Sequence, residues 1–212
     1  MIGGYRLFPK LCGLTLTQRV LKRSFDLFFA ALGLCCFFWL IVLAYLGALI
    51  DTKKSGFFLQ TRVGRNGNHF KVIKIRTMRD IALIDTVVTT SHDPRITTLG
   101  RLFRKTKVDE LPQLINVFLG HMSFVGPRPD VPGFADKLTG QDRIILSIRP
   151  GITGPATLKY RNEEEILAVQ PKPEQYNQDV IFPDKVSINR EYIENYSFGN
   201  DIKYIMQTVL GR

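Results

Sequence analysis

From Leu27 to Ile50 the chain reads LFFAALGLCCFFWLIVLAYLGALI, 24 residues without a charge. As one continuous helix this run would extend about 36 Å at roughly 1.5 Å per residue, enough to cross a hydrocarbon layer of about 30 Å with some tilt. A buried core helix of a soluble protein is the competing reading. A cleaved signal peptide fits less well, because the run is too long and no small-residue cleavage site follows it. Beyond Ser55 the pattern changes. In GFFLQTRVGRNGNHFKVIKIRTM two runs rich in Phe, Val and Ile flank Asn66-Gly67, the dipeptide that best tolerates the positive φ angles of a tight turn, so a β-hairpin is predicted. Along its second arm Lys71, Ile73 and Ile75 alternate with Val72, Lys74 and Arg76, which lets part of the basic set project together.

Residues 78–92 show no period and read as a loop or short helix over the site. The stretch DPRITTLGRLFRKTK then carries Ile96, Leu99, Leu102 and Phe103 at helical spacing among Arg95, Arg101, Arg104 and Lys105. That stripe suits either a protein core or a helix lying among lipid headgroups. MSFVGPRPDVPG and RPGITGPA are rich in Gly and Pro and read as turns, each presenting an arginine, Arg128 or Arg149, beside a proline. RNEEEILAV opens with acids, as a helix N-terminus favours. NDIKYIMQTVLG places Ile202, Ile205, Met206, Val209 and Leu210 on one helical face, with Asn200 as cap and Gly211 as stop. The sum is an α/β (α+β) fold: a lead-in over residues 1–20, a membrane-inserted helix over 21–50, and a cytoplasmic catalytic domain over 51–212 with a hairpin and several amphipathic interfacial helices.

Charge sharpens the picture. Residues 1–108 hold 18 Lys and Arg against five acids, and the remainder holds 11 against 14, giving +13 and −3 within a net charge of +10. A basic half beside an apolar segment suits anionic headgroups and phosphorylated ligands. Nucleic acid is the rival for a chain of pI near 9.7, and the charge-free segment argues against it. Basic residues flank that segment on both sides, Arg19, Lys22 and Arg23 before it and Lys53 and Lys54 after it. Under the positive-inside rule both flanks belong in the cytoplasm, which a helix that enters and turns back satisfies and a single crossing does not. Cys12, Cys35 and Cys36 form neither a disulfide framework nor a metal-ligand spacing.

The chemistry gathers in RKTKVDELPQLINVF, where Asp109 and Glu110 stand between a basic and an apolar run. Thr106 and Asp109 match a capping box, yet a helix starting at Thr106 would hold Pro112 in its interior. A helix starting at Asp109 tolerates Pro112 in its first turn, so Asp109 is expected to be the cap. Capping explains one acid and leaves the other. Neighbouring residues on a helix project about 100° apart, which suits a division of labour between them. A carboxylate at a helix N-terminus is kept ionised by the dipole and by backbone N–H groups, available as a nucleophile or a hard ligand. The histidines offer nothing comparable: His69, His92 and His121 are scattered, and Ser91, His92 and Asp93 are merely contiguous. Neither a Walker loop nor a GxGxxG motif occurs.

With these residues in view, the chain resembles the bacterial sugar transferases, the small monotopic phosphoglycosyl transferases that begin lipid-linked glycan assembly. The motifs that carry the resemblance are KRSFDLFFAALGL, TRVGRNGNHFKVIKIRTM, KVDELPQLINVFLGHMSFVGPRP and RPGITG, in that order between about Arg19 and Arg212. The resemblance implies transfer of a sugar phosphate from a UDP-sugar to polyprenol (undecaprenyl) phosphate at the bacterial inner membrane, with the catalytic domain on the cytoplasmic face. It implies that Asp109 attacks the β-phosphate and carries the phosphosugar, with release of UMP, and that Glu110 holds Mg²⁺. It further implies substrate binding by Lys74, Arg76, Arg104, Gln113, Arg128, Pro129, Arg149 and Thr153. The implied partners are the UDP-sugar, polyprenol phosphate, membrane lipids and downstream glycosyltransferases, without nucleic acid, and the family allows a homodimer. The chain departs from the family pattern at Phe38-Trp39, where a Ser-Pro pair usually breaks the membrane helix. It also departs at His121, Pro155 and Asn189, where an acid, a tryptophan and an aspartate are usual. A membrane scaffold in which the acids serve only as caps is the non-catalytic alternative.

Overall fold

A computed structural model describes residues 13–80 and 93–211. Most of the stretch read as a loop over the site therefore lies outside the described residues, although Met78 is seen to pair as an isolated bridge with Ile96.

Helix α1 runs from Leu16 to Thr52, 37 residues, starting inside the expected lead-in. Its start is fixed by a reciprocal capping box: the Thr15 hydroxyl accepts from the Gln18 N–H while the Gln18 side chain accepts from the Thr15 N–H. Lys53 ends it in the left-handed conformation. The backbone stays helical throughout, as expected where Phe38-Trp39 supplies no proline. One face of α1 is buried, through Lys22, Asp26, Ala30, Ile41, Ala44, Ala48 and Thr52. Small residues on that side let the domain come close: a Cβ on Gly33 would lie 3.1 Å from Leu114 Cδ1, and one on Gly47 3.3 Å from Leu99 Cδ2. The opposite face, with Phe28, Leu32, Phe38, Trp39, Leu43 and Ile50, stays exposed.

Strands β1 (Phe57–Val63) and β2 (His69–Ile75) form the expected antiparallel hairpin, in register from Phe57 opposite Ile75 to Val63 opposite His69. Asn66 and Gly67 take positive φ angles of 62° and 82° at its turn. Helix α2 (Thr98–Thr106) is capped by Thr97. Its apolar stripe divides, with Ile96 and Phe103 turned into the core and Leu102 left exposed. A 3₁₀ turn, Val108–Glu110, leads to α3 (Gln113–Leu119). The two loops read as turns each hold a short strand, β3 (Ser123–Val125) and β4 (Gly151–Thr153), paired in parallel. Two 3₁₀ segments, Ala135–Lys137 and Gly140–Ser147, lie between β3 and β4, and beyond β4 come α4 (Pro155–Lys159), α5 (Glu163–Ala168), α6 (Pro173–Tyr176), α7 (Phe182–Glu194) and α8 (Phe198–Val209). The cap of α8 is Ser197, which accepts from the Asn200 N–H, so Asn200 lies inside the helix it was expected to open.

Polar contacts dock the start of α1 onto this body. Lys22 pairs with Asp201 of α8 at 2.5 Å, and Asp201 also accepts from the Tyr192 and Tyr196 hydroxyls. Asp26 accepts from Ser123 Oγ and the Phe124 N–H. Arg23 donates to the carbonyls of Val117 and Phe118 at the end of α3. At the other end of α1, Arg79 donates to the Asp51 carbonyl and carboxylate. Between these anchors Ala30 packs with Val72, Val117 and Met122, and Ala44 and Ala48 with Ile75.

Candidate active site

The end of α2 shapes the site. Lys107 adopts a left-handed φ of 59°, which swings the chain into the Val108–Glu110 turn and sets the two acids ahead of α3. Asp109 is not the cap of that helix: α3 begins at Gln113, its N-cap is Pro112, and no side chain caps it. Leu111 and Pro112 stand between the turn and the helix proper. Instead Asp109 is 7% exposed, and its Oδ1 is buried without a hydrogen-bond partner. Burial, with Glu110 next to it, pushes its carboxyl up to about 6, while Lys74, Lys107 and Arg104 pull the other way. The expected ionised carboxylate held by backbone N–H groups is thus replaced by a desolvated one held by few partners.

Glu110 lies in the opposite environment. Its Oε1 accepts from Arg128 Nη2 at 2.7 Å and from Lys74 Nζ at 3.3 Å. Burial alone would raise its carboxyl, but the Arg128 and Lys74 charges outweigh it and hold the group well below the usual carboxylate range. Two adjacent carboxylates driven apart in acidity are the arrangement expected when one is to react and the other to stay charged.

The residues singled out from the sequence fall into two sets. Lys74, Arg104 and Arg128 surround the acid pair, all within electrostatic reach of Asp109 or Glu110. Arg104 donates to Thr77 Oγ1 at 3.1 Å and to Glu164 Oε1 at 2.9 Å. Gln113, four residues beyond Asp109, is 2% exposed with a buried and unpartnered Nε2. The others hold the frame. Arg76 donates to the Ser55 and Phe57 carbonyls at the root of the hairpin and lies over the Phe58 ring. The Pro129 carbonyl accepts from Arg62, and the Thr153 hydroxyl bonds that of Thr208, joining β4 to α8. Arg149 donates through Nε to the Gly120 carbonyl, at the far end of α3 from the acids and beside Arg23.

Arg62, Asp130, Glu163 and Lys185 were not singled out, and the fold brings all four to the edge of the site. Arg62 is electrostatically coupled to Arg128, Asp130, Glu110 and Glu163, and burial, followed by the Arg128 charge, lowers it to about 10. The signal for Arg62 was the hairpin itself, since it lies on the same strand face as Lys74 once the register is known.

Among the described residues no group of three His, Cys, Asp or Glu side chains is placed to hold a metal ion alone. Magnesium asks for less, being held commonly by one or two carboxylates together with water and substrate phosphates. Glu110 meets that demand. It is held ionised, and no hydrogen bond to its Oε2 is found among the described residues.

The family description "Bacterial sugar transferase" matches residues 17–211. The chain belongs to that family. It is 34% identical over 199 residues to the exopolysaccharide production protein PSS of Rhizobium leguminosarum bv. phaseoli, covering 90% of this chain and 94% of the relative. It is 35% identical over 198 residues to the UDP-glucose:undecaprenyl-phosphate glucose-1-phosphate transferase of Escherichia coli K12, covering 91% of this sugar transferase and 40% of the relative. A UDP-galactose-lipid carrier transferase of Erwinia amylovora is 31% identical over 212 residues, again covering 91% of this chain and 40% of the relative. The chain thus spans about two fifths of the length of the last two relatives.

Proposed function

We propose that this sugar transferase moves a sugar 1-phosphate from a UDP-sugar to undecaprenyl phosphate, in two displacements on one phosphorus atom. In the first, an Asp109 carboxylate oxygen attacks the β-phosphorus of the donor. An aspartyl P–O bond forms, the bond to the bridging oxygen breaks, and UMP leaves with that electron pair. In the second, an oxygen of the prenyl phosphate attacks the same phosphorus and Asp109 departs as carboxylate, leaving a prenyl diphosphate sugar. Lys74, Arg104 and Arg128 offset the phosphoryl charge in a poorly solvated setting, where such cations act strongly. Glu110 and the donor phosphates would hold Mg²⁺, which when bound would neutralise phosphoryl oxygens further. The reaction suits the cytoplasmic face of a bacterial inner membrane, where a soluble donor meets a lipid acceptor and downstream glycosyltransferases extend the product.

The observation that carries this reading is the Asp109 carboxylate, buried and without a partner at Oδ1, beside a Glu110 already committed to Arg128 and Lys74. A scaffold would use its acid as a cap, and Asp109 makes no capping bond. The test supplies purified protein with a panel of radiolabelled UDP-sugars, with and without undecaprenyl phosphate. UMP release and label in an organic-extractable lipid are expected, together with labelled protein when the acceptor is withheld. Asp109→Asn should abolish all three. Full turnover by that variant would refute the assignment.

A further inference from the structure

Asp130 stands two residues past Arg128, in a segment whose backbone is pinned on both sides. The Gly151 N–H donates to the Pro127 carbonyl, the Val63 N–H to the Asp130 carbonyl, and Arg62 Nη1 to the Pro129 carbonyl. Its carboxylate is different. Arg62, Arg128, Lys185 and Glu163 all lie within electrostatic reach of it, yet neither oxygen has a hydrogen-bond or ion-pair partner among the described residues. Neither oxygen is sealed from solvent, for the side chain is only partly buried. Lys185 is itself engaged, donating to Glu163 Oε2 at 2.6 Å. Arg128 and Asp130 both border a small, mostly apolar recess with Gly64, Ala135, Ile145 and Ile148, with room for little more than one water molecule.

The surroundings restrict what this carboxylate can receive. Lys185 is taken by Glu163 and Arg62 by the Pro129 carbonyl, so no donor among the described residues reaches the Asp130 oxygens. A ligand can supply that donor, and a carboxylate accepts well from a pair of adjacent hydroxyls. Only Pro129 separates Asp130 from the Arg128 that grips Glu110.

We propose that Asp130 is a specificity-determining residue of the donor site, accepting hydrogen bonds from vicinal hydroxyls of the UDP-sugar next to the phosphates held at Glu110 and Arg128. The assignment rests on the transfer reaction proposed above. The hydroxyls belong either to the transferred sugar or to the ribose, and the experiment separates the two.

Binding of UDP and of a UDP-sugar panel is measured by calorimetric titration of the full detergent-solubilised chain, in parallel with UMP release. In Asp130→Asn the preferred UDP-sugar should bind about tenfold more weakly, the loss expected for a hydrogen bond to a charged group. The wild-type preference over the donor lacking the contacted hydroxyl should disappear with it. UDP binding left unchanged by the substitution places the hydroxyls on the transferred sugar, and UDP binding weakened equally places them on the ribose. Asp130→Ser serves as a second variant, so that agreement between the two excludes a folding defect peculiar to either. Wild-type affinity and donor ranking in both variants would overturn the assignment. Donor binding without UMP release from the wild type would instead sink the transfer reaction, while the titrations still decide the role of Asp130.

Discussion

Asp109 and Glu110 differ by one position and by nearly everything else. Glu110 has two cations on one oxygen, whereas Asp109 has been withdrawn from water with no hydrogen-bond partner at its Oδ1. That arrangement costs stability, and the sign follows from the shift. The Asp109 carboxyl is raised from 3.8 to about 6, so between those values the unfolded chain has released a proton that the folded chain retains. The folded state is therefore favoured more at pH 4 than at pH 7, and well above pH 6 the full cost is present, roughly 3 kcal/mol for a shift of about two units. Asp109→Asn should raise the thermal midpoint at pH 8 and do little at pH 4, while ending turnover. Denaturation scans at the two pH values check this, and a variant less stable at pH 8 would contradict it. The acids themselves were legible in the sequence, because an acidic pair between a basic and an apolar run has few bland explanations. Their inequality was not. It depends on Lys74 and Arg128, which are 36 and 18 positions away from Glu110 in the chain and converge on it only in the fold.

At the scale of elements, the hairpin could be read because Asn66-Gly67 set both the turn and the register. The parallel pair β3 and β4 could not, since strands of three residues are too short to show alternation. The glycines there are spacing devices as much as turn formers: a Cβ on Gly151 would meet Gly126 N at 2.1 Å. Helix α1 was legible as an apolar rod, but its docking was not, because Lys22 and Arg23, which the sequence presents only as flanking charges, are among the groups that hold it. Lys22 and Asp201 pair with side chains 9% and 3% exposed. Removing one partner of such a pair strands the other without solvent, at about 3 to 5 kcal/mol, whereas replacing both with apolar residues often costs much less. Asp201→Ala should therefore destabilise the protein strongly and loosen α8 from α1. Lys22→Met combined with Asp201→Leu should recover part of the loss, the remainder reflecting the Tyr192 and Tyr196 hydroxyls left without their acceptor. Thermal midpoints of the single and paired variants measure the coupling. Equal losses in the two would show that the charge pair contributes nothing beyond packing.

For the whole molecule, the question is how a helix anchored to a polar body along one face could meet a bilayer with its exposed apolar face. At about 1.5 Å per residue, 37 residues extend roughly 55 Å, well beyond the thickness of a hydrocarbon core. Lys22 and Arg23 near one end and Asp51 near the other are both tied to the same body, so the two ends cannot sit in water on opposite sides of the membrane without carrying that body with them. The basic flanks and the absence of a proline are reconciled if the exposed apolar face of α1 enters the bilayer while both ends stay on one side. Cys35 and Cys36 test this, because both are exposed near the middle of α1. In detergent-free proteoliposomes they should resist a charged maleimide added to either compartment and react with an uncharged, lipid-soluble one. A cysteine introduced at Leu16 and another at Lys54 should both react with the charged reagent from the same side. Modification of the two introduced cysteines from opposite sides would establish a single crossing. Rapid labelling of Cys35 and Cys36 by the charged reagent would show that the apolar face never enters lipid at all.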